Sequence, residues 1–138
     1  MSIQPEQVLE NNLVKQLEGL GYRPVTIRDE KDLLGNLQKL LGIHNGTRFS
    51  DTEFAKILNH LNKGNVFDRA KILRGRFPLT RDDGTIFYVR FINQEAWCQN
   101  EYQVTTQVTM EGVYKNRYDV TLLINGLPLV QIELKRRG

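Results

Sequence analysis

The sequence has little of the chemistry on which many small proteins depend. Among 138 residues there is one cysteine, Cys98, and there are two histidines, so an internal disulfide and a cysteine-rich zinc site are excluded. No stretch approaches the roughly 20 apolar residues that cross a bilayer. The first residues lack the basic start and apolar run of a signal peptide. A free thiol suits a reducing compartment, so we expect a soluble cytoplasmic protein with no membrane contact.

The bulk composition is that of an ordinary globular chain. At 138 residues and 40% hydrophobic, it is long enough to bury a core as one domain. Its net charge is +3 and its isoelectric point about 9.1. This mild positive charge is compatible with an anionic partner, but solubility explains it equally well.

The first half of the chain has the periodicity of helices. An apolar stripe at helical spacing begins the chain, formed by Leu9, Leu13, Leu17 and Leu20. Asp29 is the expected N-cap of a second helix, and Gly42 its expected end. Ser50 and Glu53 form a capping box that predicts the start of a third. A shorter fourth helix is predicted from about Val66 to Leu73.

The second half changes to the period of strands. Alternating residues predict a hairpin about 82–84, a strand in YQVTTQVTM, and two last strands that meet at Asn125-Gly126. Helices followed by a mixed, largely antiparallel sheet predict an α/β fold of the α+β mixed kind, over a single domain, 1–138. A strong strand finishes at Leu134 or Lys135, just before the chain stops. We therefore expect the N-terminal piece of a longer protein, truncated after that strand.

Three charges interrupt the best strand-forming segment. Asp119 lies in the first of the two last strands, and Glu133 and Lys135 close the second. Converging carboxylates repel unless a cation lies between them, and Mg²⁺ prefers such oxygen ligands. The Leu134 carbonyl is a possible further ligand, and a lysine beside the site can offset charge that builds on a phosphate. Metal, activated water and a cation together suit phosphodiester hydrolysis.

The geometry of the hairpin sets a condition on this site. If Asn125-Gly126 closes a strict two-residue turn, Asp119 faces Ile132, and Asp119 and Glu133 lie on opposite faces. A three-residue loop or one β-bulge would instead bring Asp119 opposite Glu133. The hypothesis therefore requires an odd-length loop or a bulge.

Charged residues at strand ends also reach solvent without any function, and that interpretation stays open here. The runs TLLI and LPLVQI are apolar on both faces, which is typical of strands buried inside a sheet. Charges at the ends of buried strands lie at the rim of a core, where functional sites tend to occur.

The same residues carry a family resemblance. NRYDVTLLINGLPLVQIELKRRG, residues 116–138, resembles the nuclease motif of the restriction (motor) subunit of type I restriction endonucleases. The likeness covers Asp119, the Asn-Gly-Leu-Pro loop and the Glu-Leu-Lys run, with apolar residues between. Residues 9–22 also resemble the family's N-terminal helix, while the middle of the chain is similar only in its order of elements. Tyr118 occupies the place of the proline for which the motif is named.

The resemblance implies a PD-(D/E)xK core of the restriction-endonuclease type, with Mg²⁺-dependent cleavage of double-stranded DNA. It implies that Asp119 and Glu133 ligate the metal and that Lys135 is the catalytic lysine. Basic groups are expected at a DNA cleft, and the candidates are Arg117, Arg136 and Arg137.

In the wider superfamily a glutamate on the first helix assists the metal site, and Glu10 matches that position. On a helical wheel Glu10 falls about 100° from Leu9, inside the apolar arc that Val14 extends to about 140°. A glutamate at the stripe edge that reaches water is an equal alternative. Glu6 competes for the role, but its place in the first turn fits complementation of the helix dipole better.

The resemblance also implies parts that this chain lacks. A glutamine-and-tyrosine motif and an ATPase motor follow the lysine in the family, and no GxxxxGK[S/T] loop occurs here. We therefore expect ATP binding only in the absent motor region, and do not expect this chain to cut DNA alone.

Three functions follow from these expectations. The first is the endonuclease domain of a type I site-specific deoxyribonuclease, acting with methylase and specificity subunits in an ATP-driven complex. The second is a non-catalytic module that docks the motor to those subunits. The third is a PD-(D/E)xK nuclease of another kind, for repair or junction resolution, which the abrupt C-terminus disfavours.

Overall fold

The structure, a computed structural model, describes residues 5–63, 66–110 and 116–134, with side chains described at 7–63, 70–108 and 118–134. The chain divides into two compact units. Unit 1 combines the residues up to Asn36 with those from Glu101 onward, and unit 2 runs from Leu37 to Asn100. The prediction that residues 1–138 form one domain stays a prediction.

Apart from one two-residue strand, helices come first in the described part of the chain and the other strands follow, which confirms the predicted fold class. The elements are α1 Pro5–Gly19, β1 Arg23–Pro24, α2 Glu30–Asn45, α3 Asp51–Leu61, α4 Val66–Arg74, β2 Arg76–Thr80, β3 Ile86–Arg90, β4 Tyr102–Met110, β5 Asn116–Ile124 and β6 Leu127–Ile132. A 3-10 turn, Trp97–Gln99, precedes β4. Of the described helices, none is both long and apolar enough to traverse a bilayer.

Unit 1 contains a four-stranded sheet in the order β1-β4-β5-β6. β1 is parallel to β4, and the other neighbours are antiparallel, so the sheet is mixed and largely antiparallel as predicted. β6 was expected to be buried inside the sheet, and that was wrong. It is the edge strand of the described sheet, and Leu129 and Val130 are 39% and 45% exposed because no described strand covers its outer side.

Apolar side chains cover both faces of this sheet. On β5, Val120 and Leu123 are three residues apart and so point to opposite faces. Leu17 of α1 packs on the Val120 side. Leu33 of α2 packs on the Leu123 side. β5 is thus held between α1 on one face and the first part of α2 on the other.

α1 turns a different face to the core than its leucines indicate. Leu9 and Leu20 are 44% and 77% exposed, so they do not belong to the buried stripe. Leu17 is buried, and Glu10 beside it on the wheel is only 4% exposed. The prediction that Glu10 lies inside the buried arc is confirmed, and it lies nearer the centre of that arc than the leucines implied.

α2 begins where predicted but ends later. Asp29 caps it, since its Oδ1 accepts the backbone N–H of Asp32 at 2.9 Å. The helix continues past Gly42 to Asn45, and the stop is Gly46, whose φ is +68°. Glycine is required at position 42 for a steric reason, because a Cβ there would lie 2.7 Å from the carbonyl oxygen of Thr47. Gly42 therefore allows the backbone at Thr47 to pass close to α2, and it does not terminate the helix.

In unit 2 the capping box is confirmed, and it is part of a larger network. The Ser50 hydroxyl accepts the N–H of Glu53 at 3.1 Å, and Glu53 accepts the N–H of Ser50 at 2.8 Å. The Arg81 guanidinium binds both oxygens of Glu53, at 2.9 and 3.2 Å. The network ties α3 to the turn between β2 and β3, which pair antiparallel as predicted.

Candidate functional site

The turn between β5 and β6 has two residues, and from the sequence such a turn alone is predicted to be incompatible with the proposed site. Asn125 and Gly126 have φ of +52° and +85°, as a type I′ turn requires. The amide oxygen Oδ1 of Asn125 accepts the backbone N–H of Glu101 at 2.8 Å, and the backbone N–H of Asn125 donates to the carbonyl of Glu101 at 2.8 Å. The turn is therefore fixed to the start of β4. Without another irregularity, this turn would put Asp119 and Glu133 on opposite faces.

A β-bulge immediately after the turn removes that conflict. Leu123 pairs with Pro128, but Leu122 pairs with Val130, so Leu129 is an extra residue on β6. From Val130 onward every pairing is displaced by one residue. The condition set by the sequence is met by a bulge and not by a longer loop.

The displaced register brings the two acidic positions together. Val120 pairs with Ile132, so the next positions on the two strands are Asp119 and Glu133. The backbone N–H of Leu134 donates to Oδ2 of Asp119 at 2.7 Å, which ties the segment after β6 to the carboxylate on β5. The segment that ends β6 is thus anchored at Asp119.

The donors at this place suit a hard divalent cation. Asp119 is half-buried and Glu133 exposed, at the place where β6 ends. Mg²⁺ is commonly bound by one or two carboxylates while it keeps several waters. Asp119 and Glu133, with a backbone carbonyl such as that of Leu134, match this donor set. Throughout the described part of the chain, however, no three acidic, histidine or cysteine side chains are grouped for metal binding, so Glu10 does not join them in such a group.

Glu10 is a buried carboxylate with two amide partners. The amide nitrogen of Gln107 on β4 donates to its Oε1 at 2.7 Å, and that of Gln7 donates to its Oε2 at 2.9 Å. The expected alternative, a glutamate that reaches water at the edge of the stripe, is wrong. Its assignment as a catalytic group stays a prediction.

Several predicted site residues lie outside what the structure describes. Lys135, Arg136 and Arg137 follow the last described residue, Leu134. Arg117 lies on β5, but its side chain is not described. The catalytic lysine and the three basic DNA contacts therefore stay predictions.

Sequence reasoning missed Gln107. The alternation in YQVTTQVTM makes it an ordinary polar strand residue, equivalent to Gln103. In the structure its φ is +60°, a value that non-glycine residues rarely adopt, and its amide holds Glu10. No residue type or spacing in the sequence marks this position as special.

The family model described as "Type I restriction enzyme R protein N terminus" matches residues 3–138. This chain belongs to that family. The match includes α1 with Glu10 and both strands of the Asp119 and Glu133 hairpin, so the resemblance stated from the sequence is confirmed.

The similar proteins are named as endonuclease subunits of type I restriction enzymes. The chain is 49% identical over 143 residues to the type I restriction enzyme SauCOLORF180P endonuclease subunit of Staphylococcus aureus (strain COL), covering 100% of this chain and 15% of that protein. It is 48% identical, with the same coverage, to the SsaAORF53P endonuclease subunit of Staphylococcus saprophyticus. To the EcoprrI endonuclease subunit of Escherichia coli it is 34% identical, covering 99% of this chain and 46% of that protein. The chain thus spans about 15% of the length of its staphylococcal relatives.

Proposed function

We propose that this chain is the nuclease part of a type I restriction endonuclease subunit and that it cleaves double-stranded DNA with Mg²⁺ held by Asp119 and Glu133. The observation that carries the proposal is the Leu129 bulge, which puts the two acidic positions in register. A plain hairpin would have separated them, and the family's relatives are named endonuclease subunits.

The residues have distinct parts in the proposed hydrolysis. Asp119 and Glu133 would hold the cation, with the carbonyl of Leu134 as a further ligand. A bound Mg²⁺ supplies Lewis acidity and lowers the pKa of a coordinated water. Lys135 would place positive charge beside the phosphate as negative charge develops on it, and would orient the attacking water. The exposure of Glu133 leaves room for a substrate phosphate to approach.

The whole protein's activities belong to the same proposal. We propose that the substrate is double-stranded DNA, that methylase and specificity subunits are the partners, and that ATP is bound only in the motor region. The relatives' names support an enzyme of the type I restriction class. Arg117, Arg136 and Arg137 are the proposed phosphate contacts, for which attraction to the DNA backbone would weaken as salt rises.

The test uses the full-length subunit that contains this chain, assembled with its partner subunits. Glu133→Gln and Lys135→Met should each lower the rate of plasmid cleavage by roughly 100-fold or more, as expected when a group that stabilises the transition state is lost. ATP hydrolysis by the same preparations should be unchanged, because the motor lies elsewhere. Glu18→Gln, an exposed acid on α1, is the matched control and should cleave normally.

Three results distinguish catalysis from docking. Loss of cleavage with ATP hydrolysis and assembly intact supports the nuclease. Cleavage at the normal rate in Glu133→Gln and Lys135→Met overturns it, and loss of subunit assembly in the same variants would indicate a docking module.

A further inference from the structure

The positive charge of the chain is concentrated in unit 2. Residues 37–100 include ten lysines and arginines and six acidic residues, which gives a balance of +4. The rest of the chain has nine basic and ten acidic residues, a balance of −1. Unit 1, which contains Asp119 and Glu133, therefore has no excess of positive charge with which to attract a polyanion, whereas unit 2 has one.

The hairpin of unit 2, formed by β2 and β3, has one covered face and one exposed face. On the covered face, the Phe77 ring stacks on His60 with 4.3 Å between ring centroids, and Phe87 meets Phe49 edge to face at 5.9 Å. Successive residues of a strand point to opposite faces, so the alternate positions form the other surface. We call that surface the hairpin face, and its six residues are all exposed: Arg76, Pro78, Thr80, Ile86, Tyr88 and Arg90.

Arg76 and Arg90 lie directly opposite each other on the hairpin face. The backbone N–H of Arg90 donates to Oδ1 of Asn45 at 2.7 Å, and Nδ2 of Asn45 donates to the Arg90 carbonyl at 2.9 Å. Because both backbone groups of Arg90 point to Asn45 and away from β2, the two arginines form a non-hydrogen-bonded pair. In such pairs the Cα atoms are about 4.5 Å apart and the side chains are closest. The two guanidinium groups therefore leave the hairpin from adjacent positions.

Neither guanidinium has an acidic partner in the described part of the chain. Arg76 lies over the ring of Tyr88, 5.8 Å from its centroid, which is a contact with an aromatic ring and not with a carboxylate. The described ion pair of unit 2 joins Arg81 to Glu53 and includes neither arginine of the hairpin face. Like charges directly opposite each other destabilise a sheet. The pair thus has an unfavourable interaction that a bound anion would relieve.

The backbone edges of the hairpin are less suited to a partner than its face. A protein that adds a strand needs a row of free N–H and C=O groups along an edge. On β3, Asn45 occupies both backbone groups of Arg90. On β2, the Lys56 ammonium donates to the Thr80 carbonyl at 2.9 Å, and Pro78 has no N–H to offer. The surface that suits a partner is therefore the hairpin face itself.

Positive charge is greatest where Arg76 and Arg90 lie, which we call the arginine end of the hairpin face. Lys71 and Arg74, both exposed, are in the last turn of α4, directly before β2. Cations in a last turn complement the helix dipole, which accounts for their position, but they also add to the charge at this end. The acidic residues of the hairpin, Asp82-Asp83, lie in the turn at its other end. An anion would thus be attracted to the arginine end and repelled from the turn.

We propose that the arginine end binds the phosphate backbone of double-stranded DNA through Arg76, Arg90 and Tyr88. The choice of DNA rests on the proposed function, and the choice of surface rests on its charge and exposure. A guanidinium can donate two parallel hydrogen bonds to one phosphate, and the hydroxyl of Tyr88, which is 58% exposed, can donate another. Phosphates are the same at every base pair, so the contact is independent of DNA sequence. The surface holds DNA and takes no part in the chemical step.

The first test identifies the occupant of the hairpin face. In the full-length subunit assembled with its partners, Tyr88 is replaced by the photo-crosslinking residue p-benzoylphenylalanine, and the complex is irradiated with double-stranded DNA. We expect a crosslink to DNA. The same replacement at Glu95, an exposed residue of unit 2 outside the hairpin, is the control and should give little or none.

The second test measures the electrostatic contact. Arg76→Gln with Arg90→Gln should weaken binding of the full-length subunit to a duplex without its recognition sequence by roughly 10-fold or more at about 0.1 M salt. The plot of log affinity against log salt should become shallower by about 2, one for each lost phosphate contact. Arg76→Lys with Arg90→Lys keeps the charges and should restore most of that slope. Both guanidinium groups are exposed, so thermal denaturation should show that the glutamine variant remains folded.

A matched control separates a local contact from a general charge effect. Lys39→Gln with Arg48→Gln removes the same charge from exposed positions of unit 2 outside the hairpin, and should keep the wild-type salt slope. An equal loss of slope in this control overturns the inference. So does an unchanged slope in the folded Arg76 and Arg90 glutamine variant.

The crosslink and the proposed function have separate outcomes. Absence of a Tyr88 crosslink to DNA overturns the inference, and a crosslink to another subunit would assign the hairpin face to a protein partner instead. Glu133→Gln, measured in the same series, should bind DNA as wild type does and fail to cleave it. If it cleaves normally, the proposed function fails while the salt slope still decides the inference. If it fails to cleave and the arginine variants bind normally, only the inference fails.

Discussion

The N–H of Leu134 donates to Oδ2 of Asp119 at 2.7 Å, just beyond the end of β6. The carboxylate therefore has a structural part besides the proposed metal one. A substitution that removes both the hydrogen bond and the proposed metal ligand would change stability and catalysis together. Two different substitutions can separate the effects.

Asp119→Asn and Asp119→Ala make that separation. Asparagine keeps an oxygen for the Leu134 N–H and loses the charge, so its stability should stay near wild type while cleavage falls by about 100-fold or more. Alanine loses the hydrogen bond too, and its free energy of unfolding should fall by a further 1–3 kcal/mol or so. Urea denaturation and plasmid cleavage on the same preparations check this. Cleavage at the wild-type rate by Asp119→Asn would show that Asp119 is not a ligand of the proposed metal site.

Deletion of Leu129 should leave the register of the two acids unchanged. Without the extra residue, a plain hairpin from the Asn125-Gly126 turn still pairs Leu122 with Val130 and leaves Asp119 opposite Glu133. The deletion variant should therefore cleave at nearly the normal rate. Insertion of one alanine between Leu129 and Val130 should abolish cleavage, because a further displacement by one residue places Asp119 opposite Ile132. Plasmid cleavage by both variants, with circular dichroism to establish folding, is the measurement, and loss of cleavage by the folded deletion would contradict the register argument.

Gly126→Ala should destabilise the hairpin. The φ of Gly126 is +85°, and an L-residue pays about 1–2 kcal/mol in that region. The free energy of unfolding should fall by about this amount in urea. A stability equal to that of wild type would show that the turn relaxes to another type.

Two glycines of α2 should respond to alanine in opposite directions. Gly35 has no atom within 4 Å of a built Cβ, so Gly35→Ala should stabilise by about 0.8–1 kcal/mol through helix propensity. At Gly42 a Cβ would lie 2.7 Å from the Thr47 carbonyl oxygen, so Gly42→Ala should lower the melting temperature. Thermal denaturation of both variants checks this, and changes of the same sign would contradict it.

Acid should weaken the fold through Glu53. Its pKa is lowered from 4.5 to about 2, first by the Arg81 hydrogen bond and then by the N–H of Ser50. The folded form thus holds its proton less tightly than the unfolded chain does. The stabilisation is therefore complete above about pH 4.5 and is lost as the pH falls towards 2.

Glu53→Gln should accordingly be less stable at neutral pH and decline less steeply across that acid range. Glu95→Gln, which alters an exposed acid of the same unit, should follow the wild-type curve. Unfolding midpoints in urea from pH 6 down to about 2.5 provide the comparison. Parallel curves for Glu53→Gln and wild type would show that the ion pair does not govern acid stability.

Features with local signals were predictable, and those that depend on neighbours were not. The Ser50–Glu53 capping box and the Asp29 cap involve atoms within three residues, so their patterns held. The end of α2 was misplaced because the demand for Gly42 comes from Thr47, which returns from beyond the helix. The edge position of β6 had one signal in the sequence, Pro128, because proline within a strand is confined to edge strands, strand starts or bulges. The apolar residues around it indicated a buried strand instead, since they do not show which strands pair.

The site divides in the same way. Glu10 could be placed in the buried arc from the wheel, since helix geometry is regular. The need for a bulge could be deduced, but its place at Leu129 could not, because residues 127–132 contain no glycine and Pro128 is compatible with an edge strand as well as with a bulge. Gln107 was invisible for a related reason: a positive φ at glutamine is imposed by the packing around it.

The bulge has a consequence for comparing members of the family. In a plain two-residue hairpin, partners are separated along the chain by an odd number, whereas Asp119 and Glu133 are separated by an even one. A relative that gains or loses one residue between its two acids changes that parity, and must compensate with a different turn or by losing the bulge. An odd or even separation between the two acids therefore indicates which hairpin geometry a relative has. A sequence alignment that places a gap in this segment without regard to that geometry would pair acidic residues that are not equivalent.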